Sequence, residues 1–353
     1  MVKMQDIATR AGVSIGTVSR ALNFDETGVS QKKAREIRFI ADQMGYKKKT
    51  RHSKSEKLSD KGDKDILIIL SHSVESEMKN PYSTKIRISI ENHLALKNYH
   101  YHILRLQQIN LDSIRQLAGY QAILVVGMVP DTIAEALHDV TNNVIFIDSK
   151  PIKKYDFIIP DIEKGIEEYI ELFIKNEIAK IGMITGRRTY LDEDGKKYFS
   201  EDPRLTTFKS ILKRYGLYNG QYVVTSEEVD ADFIVDGGYS ISSGYRAMEQ
   251  LIASNHLPDV VIAGCDVLAI GMIEALLEAG IQPGKDIGIV SFDNIDLAKY
   301  YKVPITTMDL NMLNLGELAV ENMESKMNGR KLAVHIKIPL DLVIRASWQP
   351  NKK

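Results

Sequence analysis

Cysteine and long apolar runs are the scarcest features of this 353-residue chain. There is one cysteine, Cys265, so no internal disulfide can form, and a reducing compartment is expected. No apolar run approaches the roughly 20 residues needed to span a bilayer. The opening residues Met1 to Asp6 lack the hydrophobic stretch of a signal peptide, which points to a cytoplasmic protein with no membrane partner. Enzyme signatures are missing as well. No His-Glu-x-x-His, P-loop, Gly-x-Ser-x-Gly or Gly-x-Gly-x-x-Gly is present, so neither catalysis nor a cofactor is expected. His100 and His102 lie two apart and would share one strand face, yet an exposed strand face is the simpler reading, and no metal site is expected.

Net charge is also small, at −1, but it is unevenly placed. Residues 1–57 carry 13 Lys/Arg against 6 Asp/Glu, a net of +7, and the remainder carries 33 against 41, a net of −8. A basic head on an acidic body is the electrostatic footprint of a nucleic-acid module joined to something else. A solvated basic tail would give the same count. The length suits two or three domains, and 44% hydrophobic residues can fill a large core.

The head has internal order. Ile7, Ala8 and Ala11 fall on one helical face over 4–11, and Gly12 can take the positive φ of a tight turn. Ser14 then caps a second helix over 15–22, with Val13, Val18 and Ala21 packing back on the first. The pattern is a helix-turn-helix. A third helix is expected from Ser30, with Ile37, Ile40, Ala41 and Met44 as its apolar face and Gly45 as its stop. The exposed side of the second helix carries Ser14, Thr17, Ser19, Arg20 and Asn23. Hydroxyls at a helix N-terminus suit phosphates, and arginine suits the O6/N7 edge of guanine.

The string DIATRAGVSIGTVSRALN at 6–23, followed by VSQKKAREIRFIADQMGY at 29–46, closely resembles the DNA-binding domain of the lactose/galactose repressor family, Gram-positive galactose-operon types above all. The resemblance implies base-reading positions at Ile15, Gly16 and Arg20. It implies phosphate-binding positions at Ser14, Thr17, Ser19, Asn23 and Ser30, with Gln5 also at the DNA. Gly16 departs from the pattern, since it has no side chain with which to read a base. It further implies a homodimer on a near-palindromic operator of double-stranded DNA. Residues 47–64 are charged and without apolar period, which reads as a linker. The family's hinge leucine, which wedges into the minor groove, is replaced here by Ser55, with Leu58 the nearest apolar residue.

From Asp65 onward, apolar runs at 66–70, 99–106, 122–126, 144–147, 181–184, 260–263 and 287–291 alternate with helical patterns at 84–97, 162–175, 205–215, 243–254 and 268–280. Such alternation indicates parallel sheets covered on both faces, here as two doubly wound lobes. The stretches 257–323, 201–217 (Arg-x-x-x-Phe), 242–251 (Ser-Gly-Tyr) and 342–347 resemble the same family's body, which is similar to periplasmic sugar-binding proteins. The expected architecture is thus an all-α helix-turn-helix domain (1–46), a linker (47–64) and an α/β periplasmic-binding-protein-like effector domain (65–349). Three crossings near 160, 291 and 322 would give lobes of about 65–160 with 292–322, and about 161–291 with 323–349.

Ligands in such folds bind outside the carboxyl ends of the strands. Asp148, Cys265 and Asp293 follow strands there, Arg204 opens a helix, and Tyr239 precedes one. The resemblance implies effector contacts at these five positions, with Cys265 departing from the usual Asn. Tyr82 is a sixth candidate, to lie over a sugar ring. Asp266 is expected to cap the helix beginning near Leu268. Cys265 fits a buried small hydrophobe equally well. The insert 187–202 and the stretch 82–91 resemble galactose-type repressors, so a small-molecule sugar effector, galactose or a β-galactoside, is expected to release the operator. A corepressor-type global or purine regulator, and a sugar-binding transport protein, are the alternatives. No leucine heptads close the chain, which favours a dimer over larger assemblies.

Overall fold

The computed structural model describes residues 4–22, 65–72, 81–151, 155–191, 197–226 and 238–350, with 33, 37, 40, 41, 44, 74 and 77 besides. The chain divides into two compact units, 1–60 and 61–353.

In the first unit, helices α1 (Met4–Ala11) and α2 (Ile15–Leu22) meet at the expected turn. Gly12 takes φ +64°, and the Ser14 hydroxyl accepts the Thr17 N–H at 3.1 Å, so the serine caps α2. Ile7, Ala8, Ala11, Val18 and Ala21 are buried together with Ile37 and Ala41, and Val13, Ile40 and Met44 pack against them. The expected third helix is otherwise outside the described residues, as are the linker 47–64, Asn23 and Ser30.

The second unit holds two sheets of six described strands each. The first lobe contains β1 (Asp65–Leu70), β2 (His100–Arg105), β3 (Ala122–Val126), β4 (Val144–Ile147) and β5 (Asp156–Pro160). Every residue of β1 and β3 is buried, because helices cover both faces of this parallel sheet. One face lies under α3 (Pro81–Leu96), while α4 (Leu111–Ile114) and α5 (Asp131–Val140) bury Ile114, Ile133, Ala134 and Leu137 against the other. The chain then enters the second lobe through α6 (Ile162–Lys175) and β6 (Ile181–Thr185). There β7 (Arg187–Leu191) and β8 (Lys197–Glu201) form an antiparallel hairpin from the insert 187–202. Next come α7 (Pro203–Arg214), β9 (Val223–Thr225), α8 (Ile241–Ala253), β10 (Val260–Ala263), α9 (Asp266–Glu278), β11 (Gly288–Phe292), α10 (Asp296–Tyr300) and β12 (Thr306–Asp309). Helices α8 and α9 pack so closely that a Cβ on Gly271 would coincide with the Ile241 carbonyl oxygen.

The expected lobe boundaries need correction. Strand β12 pairs with β11, so 292–309 belongs to the second lobe. The chain returns at 310–311, and α11 (Met312–Met327) packs on α3 through Gly316, where a Cβ would strike Ser89. Strand β13 (His335–Ile338) then pairs with β5, and β14 (Asp341–Val343) goes back to pair antiparallel with β12. The crossings therefore lie at 160–162, 309–312 and 338–341. The misreading has a physical origin: β12 begins Thr-Thr and so lacks an apolar run, yet both threonines are wholly buried. Their hydroxyls are satisfied by the Trp348 carbonyl and the Asp266 carboxylate. The sheet orders are β13-β5-β4-β3-β1-β2 and β14-β12-β11-β10-β6-β9.

Candidate functional site

On the head, Ser14, Ile15, Gly16 and Gln5 are exposed, while Thr17, Ser19 and Arg20 are half-buried. A large apolar side chain in solvent, as at Ile15 with 43% exposure, suits contact with another surface. The Arg20 Nε donates to the Gly16 carbonyl at 3.3 Å, which holds its stem along α2. A Cβ on Gly16 would meet only the Ser14 hydroxyl, at 3.6 Å, so packing does not demand a glycine there.

In the body, all six expected effector residues gather at the carboxyl ends of the strands. Tyr82 comes from the first turn of α3, which Pro81 opens with a φ already suited to a helix. Its hydroxyl bonds the Asp148 carboxylate. Burial, then the charges of Asp148 and Asp293, push the Tyr82 phenol well above its usual value. Asp148 follows β4 at φ +55°, its N–H donating to the Ile158 carbonyl at 2.9 Å. These two stand on the first lobe.

The second lobe supplies the rest. Asp293 follows β11 with φ +109°, a conformation rare outside glycine, and is 2% exposed. Burial, then the negative charges of Asp266 and Asp148, push its carboxyl up, against the pull of Arg204 and Lys85. Lys85 belongs to α3 and also reaches Asp296 of the other lobe at 3.5 Å. The thiol of Cys265 is buried and is pushed well up by that burial and by Asp293. Cys265 is therefore a buried small hydrophobe that also borders the cluster.

Arg204 is the centre of the arrangement. Its Nη1 lies 2.8 Å from the Asp202 carboxylate, and its guanidinium stands 5.3 Å from the centroid of the Phe292 ring. Burial alone would lower its pKa; Asp202, and after it Tyr239 and Asp293, more than reverse that, so it stays charged. Its Nε is buried with no hydrogen-bond partner among the described residues. A buried donor without an acceptor costs free energy until something supplies one. Tyr239 donates its hydroxyl to the same Asp202 carboxylate, and burial with the Asp202 charge raises its phenol.

Asp202 and Thr185 were not foreseen as site residues. Asp202 is wholly buried; it caps α7 by accepting the Arg204 N–H at 2.8 Å and also receives the Thr185 hydroxyl at 3.4 Å. The signal was present as Asp followed by Pro203, a helix start, but the start alone does not reveal what else the carboxylate binds. The expectation for Asp266 is corrected. It is the first residue of α9, whose cap position is Cys265, and it does not cap its own helix. Instead it accepts from the Ser291 hydroxyl, the Thr307 hydroxyl at 2.8 Å and the Ile295 N–H at 2.8 Å, joining β11, β12 and the start of α10. On the edge strand β2, His102 lies 3.9 Å from Asp65 and edge-on to Tyr120; no cluster of metal-ligating residues occurs among the described residues.

A paired-lobe body with polar groups converging at its strand ends, in one chain with a helix-turn-helix unit, has clear counterparts. The model for bacterial regulatory proteins of the lacI family matches residues 3–49, and that for the periplasmic binding protein-like domain matches 170–348. The chain thus joins a lacI-family helix-turn-helix domain to a periplasmic binding protein-like domain. The HTH-type transcriptional repressor MelR of Bacillus subtilis (strain 168) is 29% identical over 354 residues, covering 98% of this chain and 97% of that one. The HTH-type transcriptional regulator GalR of Streptococcus thermophilus is 29% identical over 353 residues, covering 98% and 99%. The lac repressor dimer bound to operator and the anti-inducer ONPF shares the fold, with a TM-score of 0.66 at 20% identity over 98% of each chain. Both of these relatives, MelR and GalR, are transcriptional regulators, and no described helix of this chain is long and apolar enough to cross a membrane.

Proposed function

We propose that this regulator represses a carbohydrate-utilisation operon and leaves its operator when a small sugar, galactose or a β-galactoside, binds between the lobes. The observation that carries the reading is the Arg204 Nε, without a hydrogen-bond partner among the described residues and buried beside Asp293 and Asp148 at the strand ends. A guanidinium and carboxylates so placed donate and accept pairs of bonds to vicinal hydroxyls, and charged partners make those bonds stronger. Tyr82 offers a ring face for the apolar side of a pyranose. Tyr239 and Cys265 complete the wall.

The head acts at the DNA through Gln5, Ser14, Ile15, Thr17, Ser19, Arg20, Asn23 and Ser30, with Arg20 as the main base reader and Gly16 silent. The protein works as a homodimer, two heads spanning half-sites roughly 34 Å apart. Coupling is reciprocal, so operator binding weakens sugar affinity by the factor by which sugar weakens operator affinity.

Titrating operator binding against galactose and lactose tests this directly. Sugar should lower operator affinity in the natural chain and do nothing in Asp293→Asn. Strengthened operator binding would mark a corepressor instead, and normal release in Asp293→Asn would remove that residue from the site.

A further inference from the structure

Beside the effector cluster the second lobe has another cavity, of about 370 Å³, within the range of small-molecule sites. It opens at the carboxyl ends of β6 and β9, under the hairpin that the insert forms, with Arg187, Asp202, Lys209, Tyr218, Gly220 and Thr225 in its wall. The Thr225 hydroxyl is buried without a hydrogen-bond partner among the described residues, the same condition as the Arg204 Nε in the neighbouring cluster. The charges around the cavity are matched. Lys209 pairs with Glu201 at 2.5 Å, Arg187 lowers the pKa of that same glutamate, and Asp202 is taken by Arg204. With its cations matched, the cavity is poorly suited to a phosphate. Hydroxyl and aromatic surface suits a neutral polyhydroxylated ring, with Tyr218 as the apolar face.

Asp202 lines this cavity and anchors the cluster. Its carboxylate holds Arg204 and Tyr239, so any shift of Asp202 on filling the cavity moves the two groups that reach the effector. We propose that the cavity is a second binding site for one neutral pyranose ring, coupled to the effector cluster through Asp202. The coupling half of this statement rests on the function proposed above. The ring has two sources: the second ring of a disaccharide whose first ring fills the cluster, or a separate monosaccharide.

Isothermal titration calorimetry of the full chain with galactose, glucose and lactose distinguishes them. The variants are Gly220→Phe, where a Cβ has only the Tyr218 hydroxyl nearby at 3.7 Å, and Thr225→Val, which removes the unpartnered hydroxyl while keeping the shape. A separate monosaccharide predicts two monosaccharides per chain, falling to one in Gly220→Phe and a tenfold weaker second site in Thr225→Val. A disaccharide predicts one lactose per chain, bound at least tenfold more weakly by both variants, with monosaccharide affinity unchanged. Sugar binding that is lost in Asp293→Asn but indifferent to both cavity variants overturns this site alone. Binding kept in Asp293→Asn but lost in the cavity variants removes the cluster and leaves this site standing. No binding of any of the three sugars to the natural chain overturns both readings.

Discussion

Asn294 donates its side-chain amide to the Asp309 carboxylate across 2.7 Å and accepts from Arg345 at 2.6 Å. Asn294 is the neighbour of Asp293 and shares its positive φ, at +53°. Asp309 ends β12 at a crossing between lobes and accepts the N–H of Asn311, itself at φ +51°. Asn311 in turn donates to the Pro339 carbonyl and the Asp341 carboxylate, at the third crossing. One hydrogen-bonded chain thus leads from the effector loop to two of the three segments about which the lobes must pivot.

Asn294→Ala breaks that chain without touching Asp293. Operator binding without sugar should be unchanged, while sugar-induced release should weaken by a coupling loss on the order of 0.5–2 kcal/mol. Operator affinity measured with and without saturating galactose checks this; an undiminished ratio would show that the chain carries no coupling.

Arg20→Ala should lower affinity for the cognate operator by about 1–3 kcal/mol relative to a scrambled duplex, with sugar binding intact. Gly16, in contrast, has room for a side chain. Gly16→Ala should leave operator preference as it is and stabilise α2 by about 0.5–1 kcal/mol, read from the slowed amide exchange of α2 in the full chain.

Asp156 is 1% exposed and holds Lys326 at 2.6 Å and Arg330 at 2.7 Å, both on or just beyond α11. Burial pushes its carboxyl up, but Lys326, the Val334 N–H and Arg330 pull it below the usual value. Asp156→Ala strands a buried ammonium and should cost about 3–5 kcal/mol in urea unfolding. Because the folded pKa is depressed, the natural aspartate stabilises above its unfolded pKa and loses that contribution as pH falls through the folded value. The gap between the two proteins should therefore close on acidification.

Asp266 has the opposite sign. Burial outweighs its three donors and pushes the carboxyl up to about 6. The folded state then binds the proton more tightly than the unfolded state, so this residue's contribution falls as pH rises from about 4 to about 6 and is level above that. The stability of the natural chain relative to Asp266→Asn should follow this course in thermal melts at stepped pH. A difference that grows across that window would contradict the assignment.

Much of this protein was readable locally. The helix-turn-helix follows from spacing, a glycine turn and a serine cap, each set within a few residues, and the structure reproduces all three. Strands buried on both faces advertise themselves as unbroken apolar runs, as in β1, β3 and β10. The six effector candidates could be named because strand ends and helix starts are local features and the family resemblance implies effector contacts at those positions. What the sequence determined by itself was therefore the two head helices, the strands buried on both faces and the residue types at their ends. Tertiary structure decided the rest. It made β12 a central strand despite its threonines, because partners distant in sequence, Asp266 and the C-terminal segment, satisfy their hydroxyls. It placed Asp202 at the hub between Arg204, Tyr239 and Thr185, three groups up to 54 residues apart along the chain. It also turned Asp266 from an expected cap into a clasp between strands. Pairing a buried polar group is a question of which distant segment arrives beside it, and no local pattern carries that information.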